Sequence, residues 1–176
     1  TSHWWGFDKH EKVYKTPEFL IRMLTGVIGM ASVSKAGKVI AGEAGGKPER
    51  MPVLFVGHGS PMNAIEDNAF SRAWTDVVRR LPRPSAILCV SAHWETEGTQ
   101  VTAMEKPRTI HDFSGFPDEL NRMEYPAPGS PDWAEKTRRM IHTAKVKANQ
   151  DWGLDHGTWA VLCRMFPKAD VPTFQL

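Results

Sequence analysis

Cysteine is scarce in this chain. Cys89 and Cys163 are the only two in 176 residues, and with no CxxC pair they build neither a disulfide framework nor a zinc ribbon. Both lie in apolar runs, where a free thiol packs as a small hydrophobe, and the pair suits a reducing compartment. Long hydrophobic runs are lacking too. The nearest, Phe19 to Val33, is interrupted by Arg22 and has no small-residue cleavage site, so no membrane span is expected. The cytoplasm is the expected location, with the periplasm as the alternative if residues 12–33 are a degenerate export signal rather than an ordinary helix. Charge of one sign is also missing: Lys and Arg number 22 against 20 Asp and Glu. Residues 1–50 hold eight basic against five acidic side chains, and the remainder 14 against 15. With no basic stripe interleaved with aromatics, neither nucleic acid nor a membrane surface is an expected partner, and a small molecule is.

What is present points to one globular domain with an extension. A hydrophobic fraction of 41% and seven tryptophans suit a packed core. Residues 1–50 differ in character. A Trp-rich, charged stretch with no period precedes a helix expected from Pro17 to about Met30, and glycines and lysines suggest a linker from Ser32 to Arg50. The domain is expected to start at Met51. Pro52 to Val56 reads as a buried strand emptying into Gly57-His58-Gly59-Ser60-Pro61. Glu66-Asp67-Asn68 offers cap chemistry for a helix carrying Phe70, Trp74, Val77, Val78 and Leu81, stopped by Pro82 and Pro84. Ala86 to Ala92 reads as a second strand ending in His93, completing a strand–helix–strand unit with a right-handed crossover. Thr99 to Met104 is expected as a third strand, and Glu105 to Ser130 as an irregular loop. Pro131 starts a helix with Trp133, Met140 and Ile141 on its apolar side. Val146 to Gln150 is a short strand, Ala160 to Phe166 a helix, and Val171 to Leu176 a β-like run. The fold class is α/β, with a mostly parallel central sheet flanked by helices.

Two apolar runs that each end in a histidine are the chemical signal. Ligands of open α/β sheets gather beyond the strands' C-terminal ends, so His58 and His93 are expected at one sheet edge, as the start of a metal site. Two histidines and a carboxylate on one face would suit non-heme iron, yet Glu95 and Glu97 read as a solvated turn. His111 beside Asp112 and His156 beside Asp155 are candidates for acid–base work, and equally for turn-packing residues. His142, between Arg138 and Lys145, reads as solvated. Ser60 lacks the second glycine of a nucleophile elbow, and no lysine follows the glycines as in a P-loop.

The runs VGHGSPMNAIEDNAFSRAW, LPRPSAILCVSAHWETEGTQVTAMEKPRTIHDFSGFP, YPAPGSP and WGLDHGTWAVL, with the closing VPTFQL, closely resemble the bacterial 4,5-DOPA extradiol dioxygenase family of class III extradiol ring-cleaving dioxygenases. The resemblance covers Met51 to Leu176. It implies O2-dependent opening of a catechol ring beside its hydroxyls, with His58 and His93 as metal ligands and non-heme Fe(II) or Zn(II) as the metal. It implies that His156 and His111 line the catechol pocket and handle protons. Family members also run on beyond the matched stretch and carry there a third histidine ligand and a further active-site histidine. The chain is therefore expected to be the N-terminal portion of such a domain, its sheet truncated at the C-terminal side, working as a homo-oligomer or with a complementing chain. An expectation of another class stands beside this one: a catalytically silent subunit or interaction module that keeps the fold.

Overall fold

The computed structural model describes residues 51–176. The readings placed on residues 1–50 (the helix after Pro17, the linker and the export-signal alternative) lie outside the described residues.

Among the described residues six short strands and four helices follow one another: α1 (Ala69–Val78), β1 (Ile87–Cys89), β2 (Thr99–Thr102), β3 (Arg108–Thr109), α2 (Asp118–Asn121), α3 (Pro131–Met140), β4 (Val146–Asn149), β5 (Gly153–Leu154), α4 (His156–Met165) and β6 (Thr173–Gln175). A 3-10 turn, Pro61–Ala64, precedes α1. Every strand pairing is parallel, as expected of an α/β protein. The pairings form three two-stranded ladders, β1 with β6, β2 with β4 and β3 with β5. β6 also lies against β2 and β5.

Sequence chemistry accounts for the boundaries. Of the three acidic and amide residues before α1, Asn68 is the cap: its Oδ1 accepts the amides of Phe70 at 2.9 Å and Ser71 at 3.1 Å, while Ser71 Oγ accepts the Asn68 amide. Trp74 is the buried anchor of that helix, and Phe70 points to solvent. In α3 the residue turned inward is Ala134, whereas Trp133 and Met140 are exposed, contrary to the expected apolar side. The Trp133 ring is instead covered by Lys136, whose Nζ stands 4.3 Å from its centre. The stretch 105–130 is less irregular than its four prolines suggest, since it holds β3 and α2.

Pro52 to Val56 is the clear departure. It forms no strand, and Val53 and Phe55 are 97% and 95% exposed. An apolar run becomes a strand only where a neighbour takes up its amides and carbonyls, and among the described residues none does so. The expected strand–helix–strand unit is therefore not formed. The core lies elsewhere, around α4, where Trp159, Leu162 and Met165 meet Trp74, Leu120, Tyr125 and Leu154. Among the described residues no helix is long and apolar enough to cross a membrane.

Candidate metal centre

His58 reaches its place through a loop held by side chains rather than by a ladder. Gly59 has a φ of +62°, a left-handed turn that favours glycine, and it redirects the chain so that the His58 carbonyl accepts from buried Asn63 Nδ2 at 2.9 Å. Asn63 Oδ1 accepts from Asn68, the α1 cap, at 2.7 Å, and the Asn63 carbonyl accepts from Arg164 Nε of α4 at 3.1 Å. The loop is thereby pinned to two helices. Ser60 is a local cap, its Oγ accepting the Met62 amide at 3.2 Å.

Three parallel strands deliver the remaining groups, because β1, β3 and β5 run on from their C-terminal ends into His93, Asp112 and His156. His93 lies in the turn after β1, its amide donating to Ser91 Oγ at 3.2 Å. Ser91 Oγ in turn donates to Asp155 Oδ1 at 2.8 Å. Asp155 is wholly buried and fully engaged: it caps α4 by accepting the Thr158 amide, and its Oδ2 accepts from Gln175 Nε2 of β6 at 2.8 Å. Gln175 Oε1 accepts the Asp155 amide, and the Gln175 amide donates to Thr102 Oγ1 of β2, each at 2.8 Å. A buried carboxylate is tolerable only with such partners. This network joins β1, β2, β6 and α4 directly beneath the histidines.

The histidines converge. His58, His93 and His156 each offer a ring nitrogen, all within 4.8 Å of one another, and Nε2 of His58 lies 2.8 Å from Nε2 of His93. Ring centres are 4.9 Å apart for His58 and His93, 5.1 Å for His58 and His156, and 4.0 Å for His93 and His156. A nitrogen at ~2.1 Å from a metal puts its ring centre ~3.2 Å away, so rings sharing one ion stand roughly 4.5 Å apart at right angles and roughly 5.2 Å at a tetrahedral angle. Two of the separations fall in that span, and the third is tighter. Burial, followed by the neighbouring His156 and His93, pushes the His58 pKa below its ordinary value. Its Nδ1 is buried without a hydrogen-bond partner. A neutral imidazole of this kind is what a divalent metal requires, so the donor set fits a first-row divalent ion.

Asp112 closes the site from behind. Its Oδ1 accepts the His156 amide at 2.9 Å and stands 2.9 Å from His156 Nδ1, a close contact whose ring N–H direction falls short of hydrogen-bond alignment. Its Oδ2 faces His93 Nδ1 at 3.8 Å. Burial opposes its charged form, but the His156 amide and imidazole outweigh that and hold the carboxyl below the usual carboxylate range.

His111 does not join the three. Its Nε2 bonds the Met123 carbonyl at 2.9 Å, and its ring packs on Trp159 at 5.4 Å and Phe113 at 5.7 Å, with Phe113 standing between it and His156. Glu95, Glu97 and His142 are exposed and outside the cluster. Sequence reasoning missed Asn63 and Gly157. A methyl on Gly157 would meet His93 Cδ2 and Ser91 Oγ, each at 2.7 Å, so the glycine bracketing His156 is the available hint.

Residues 52–176 match the family described as the catalytic LigB subunit of aromatic ring-opening dioxygenase. The chain is 55% identical over 128 residues to an Escherichia coli K12 protein named 4,5-DOPA dioxygenase extradiol, covering 72% of this chain and 47% of that one. It is 39% identical over 130 residues to the Beta vulgaris protein of the same name, covering 70% and 48%. A solved structure of an uncharacterized E. coli K12 protein aligns with a TM-score of 0.57 at 47% identity, over 72% of this chain and 46% of that one. The chain thus spans about half the length of the curated relatives it matches.

Proposed function

We propose, from the premise that this chain belongs to the LigB family of aromatic ring-opening dioxygenases, that it carries the metal-binding part of an extradiol dioxygenase acting with O2 on a catechol such as DOPA. The observation that carries the reading is the convergence of His58, His93 and His156 on one point.

In this reading His58 and His93 hold the metal. His156, whose Nδ1 side is taken by Asp112, turns Nε2 toward the bound catechol and accepts a hydroxyl proton there, while His111 and Phe113 form the wall behind the ring. Iron(II) is the metal that supplies redox exchange with O2 when bound, and zinc would occupy the same nitrogens without it. Work in the cytoplasm agrees with two unpaired cysteines. Val53 and Phe55 before His58, and Leu88 and Val90 before His93, are exposed apolar side chains that suit cover by a complementing polypeptide. A second copy of this chain is the other arrangement.

The test is metal content of the purified full chain by elemental analysis, followed by ring-opened product formation from DOPA under O2 with iron(II) supplied. About one metal per chain with turnover, both lost in His58→Ala, is the expected result. A folded chain that neither retains nor takes up metal would overturn the reading.

A further inference from the structure

Asp112 is placed to govern two imidazoles at once. Oδ1 stands 2.9 Å from Nδ1 of His156, close but not aligned as a hydrogen bond, and Oδ2 stands 3.8 Å from Nδ1 of His93, so the carboxylate faces both nitrogens with its charge. A neutral imidazole carries one proton on one of two nitrogens, and the partner of one nitrogen decides which. A carboxylate facing Nδ1 keeps the proton there and leaves Nε2 with a bare lone pair. The side on which that lone pair is wanted is visible at His93, whose Nε2 is the atom 2.8 Å from His58 Nε2.

Asp112 also accepts the His156 amide, which suggests a plainer role as a helix cap. That role is already filled, since Asp155 caps α4 through the Thr158 amide. His93 belongs to a different segment and gains nothing from a cap on α4. A carboxylate facing two histidines from different strand ends can orient both rings, the ligand His93 behind a metal and His156 behind its own Nε2.

We propose that Asp112 is a positioning residue that fixes the Nδ1–H tautomers of His156 and His93, so that both present bare Nε2 atoms to the point where the three rings meet. The proposal deepens the metal-centre reading and rests on it for its purpose, but its first test needs no metal. Asp112→Asn is the informative variant. An asparagine oxygen in the place of Oδ1 still accepts the His156 amide and still faces His156 Nδ1, whereas the NH2 takes the place of Oδ2, puts a donor toward His93 Nδ1 and so reverses the tautomer of His93.

The experiment uses the full metal-free chain with 15N-labelled histidine and long-range 1H–15N correlation spectra, followed by titration with cobalt(II) alone and thermal unfolding. In the wild type, His156 and His93 should show the Nδ1–H form. In Asp112→Asn, His93 should move to the Nε2–H form while His156 keeps Nδ1–H, and cobalt affinity should fall about 10- to 100-fold with the thermal midpoint little changed. An Nε2–H form of His156 in the wild type would overturn the proposal without any variant, and that spectrum decides the matter if Asp112→Asn does not fold. Unchanged tautomers and cobalt affinity in a folded Asp112→Asn would overturn it as well. Should the wild type show the Nδ1–H forms yet bind no cobalt, the proposed function fails while the role of Asp112 in setting the tautomers stands.

Discussion

At Gly157 the distance between a working site and a blocked one is a single methyl group. His93 Cδ2 and Ser91 Oγ each stand 2.7 Å from where that carbon would be, and neither can retreat freely, because Ser91 is bonded to buried Asp155. Gly157→Ala should therefore cost about 1–3 kcal/mol and turn His93 out of line, lowering cobalt affinity at least ~10-fold. Thermal unfolding and cobalt titration read the two effects, and wild-type values in both would show that the ring has room to move. This position also shows where residue-scale reading stops. That His58 and His93 meet is expected because each closes an apolar run among small residues, although only the run before His93 contains a strand. The meeting of Asp112 with His156, 44 positions apart, leaves no local period for a sequence to reveal. His111 and His156, each beside an aspartate, look alike as sequence, yet one bonds a backbone carbonyl and the other joins the cluster.

Among the elements, α4 is the one on which the site depends. Its first residue is His156, its cap is Asp155, and its apolar length is the centre of the core. Removing the Asp155 carboxylate leaves the donors of Ser91, Thr158 and Gln175 without their acceptor inside the protein. Asp155→Ala should lower stability by about 3 kcal/mol or more, measured by chemical denaturation. A loss below ~1 kcal/mol would mean that water or a neighbour replaces the carboxylate. The elements themselves were largely readable. Proline punctuation, the Asn68 cap and helical spacing located α1 and α3 to within a few residues. The failures were at Pro52 to Val56 and along α3, where the inward side depends on what lies opposite rather than on the residues themselves.

The chain belongs to a family whose curated members named above have about twice its matched length, and among the described residues several apolar side chains near the histidines are exposed. Val53, Phe55 and Val90 are each more than 70% exposed, an unusual disposition for residues flanking a site. Phe55→Ser combined with Val90→Thr should reduce association of the chain, with itself or with a complementing polypeptide, by about tenfold or more. Sedimentation across a concentration series would register it, and unchanged association would place the contact elsewhere. The parallel α/β class was legible at this scale from the alternation of apolar runs and helices, whereas its division into three separate ladders was not, since pairing is decided by residues distant in the chain.

Gln175 has a consequence in time. The support under the histidines is completed by a side chain and an amide from β6, whereas His58, His93 and His156 all leave the ribosome earlier. During synthesis the three imidazoles are therefore made before their scaffold, and the network beneath them cannot close until β6 has been added.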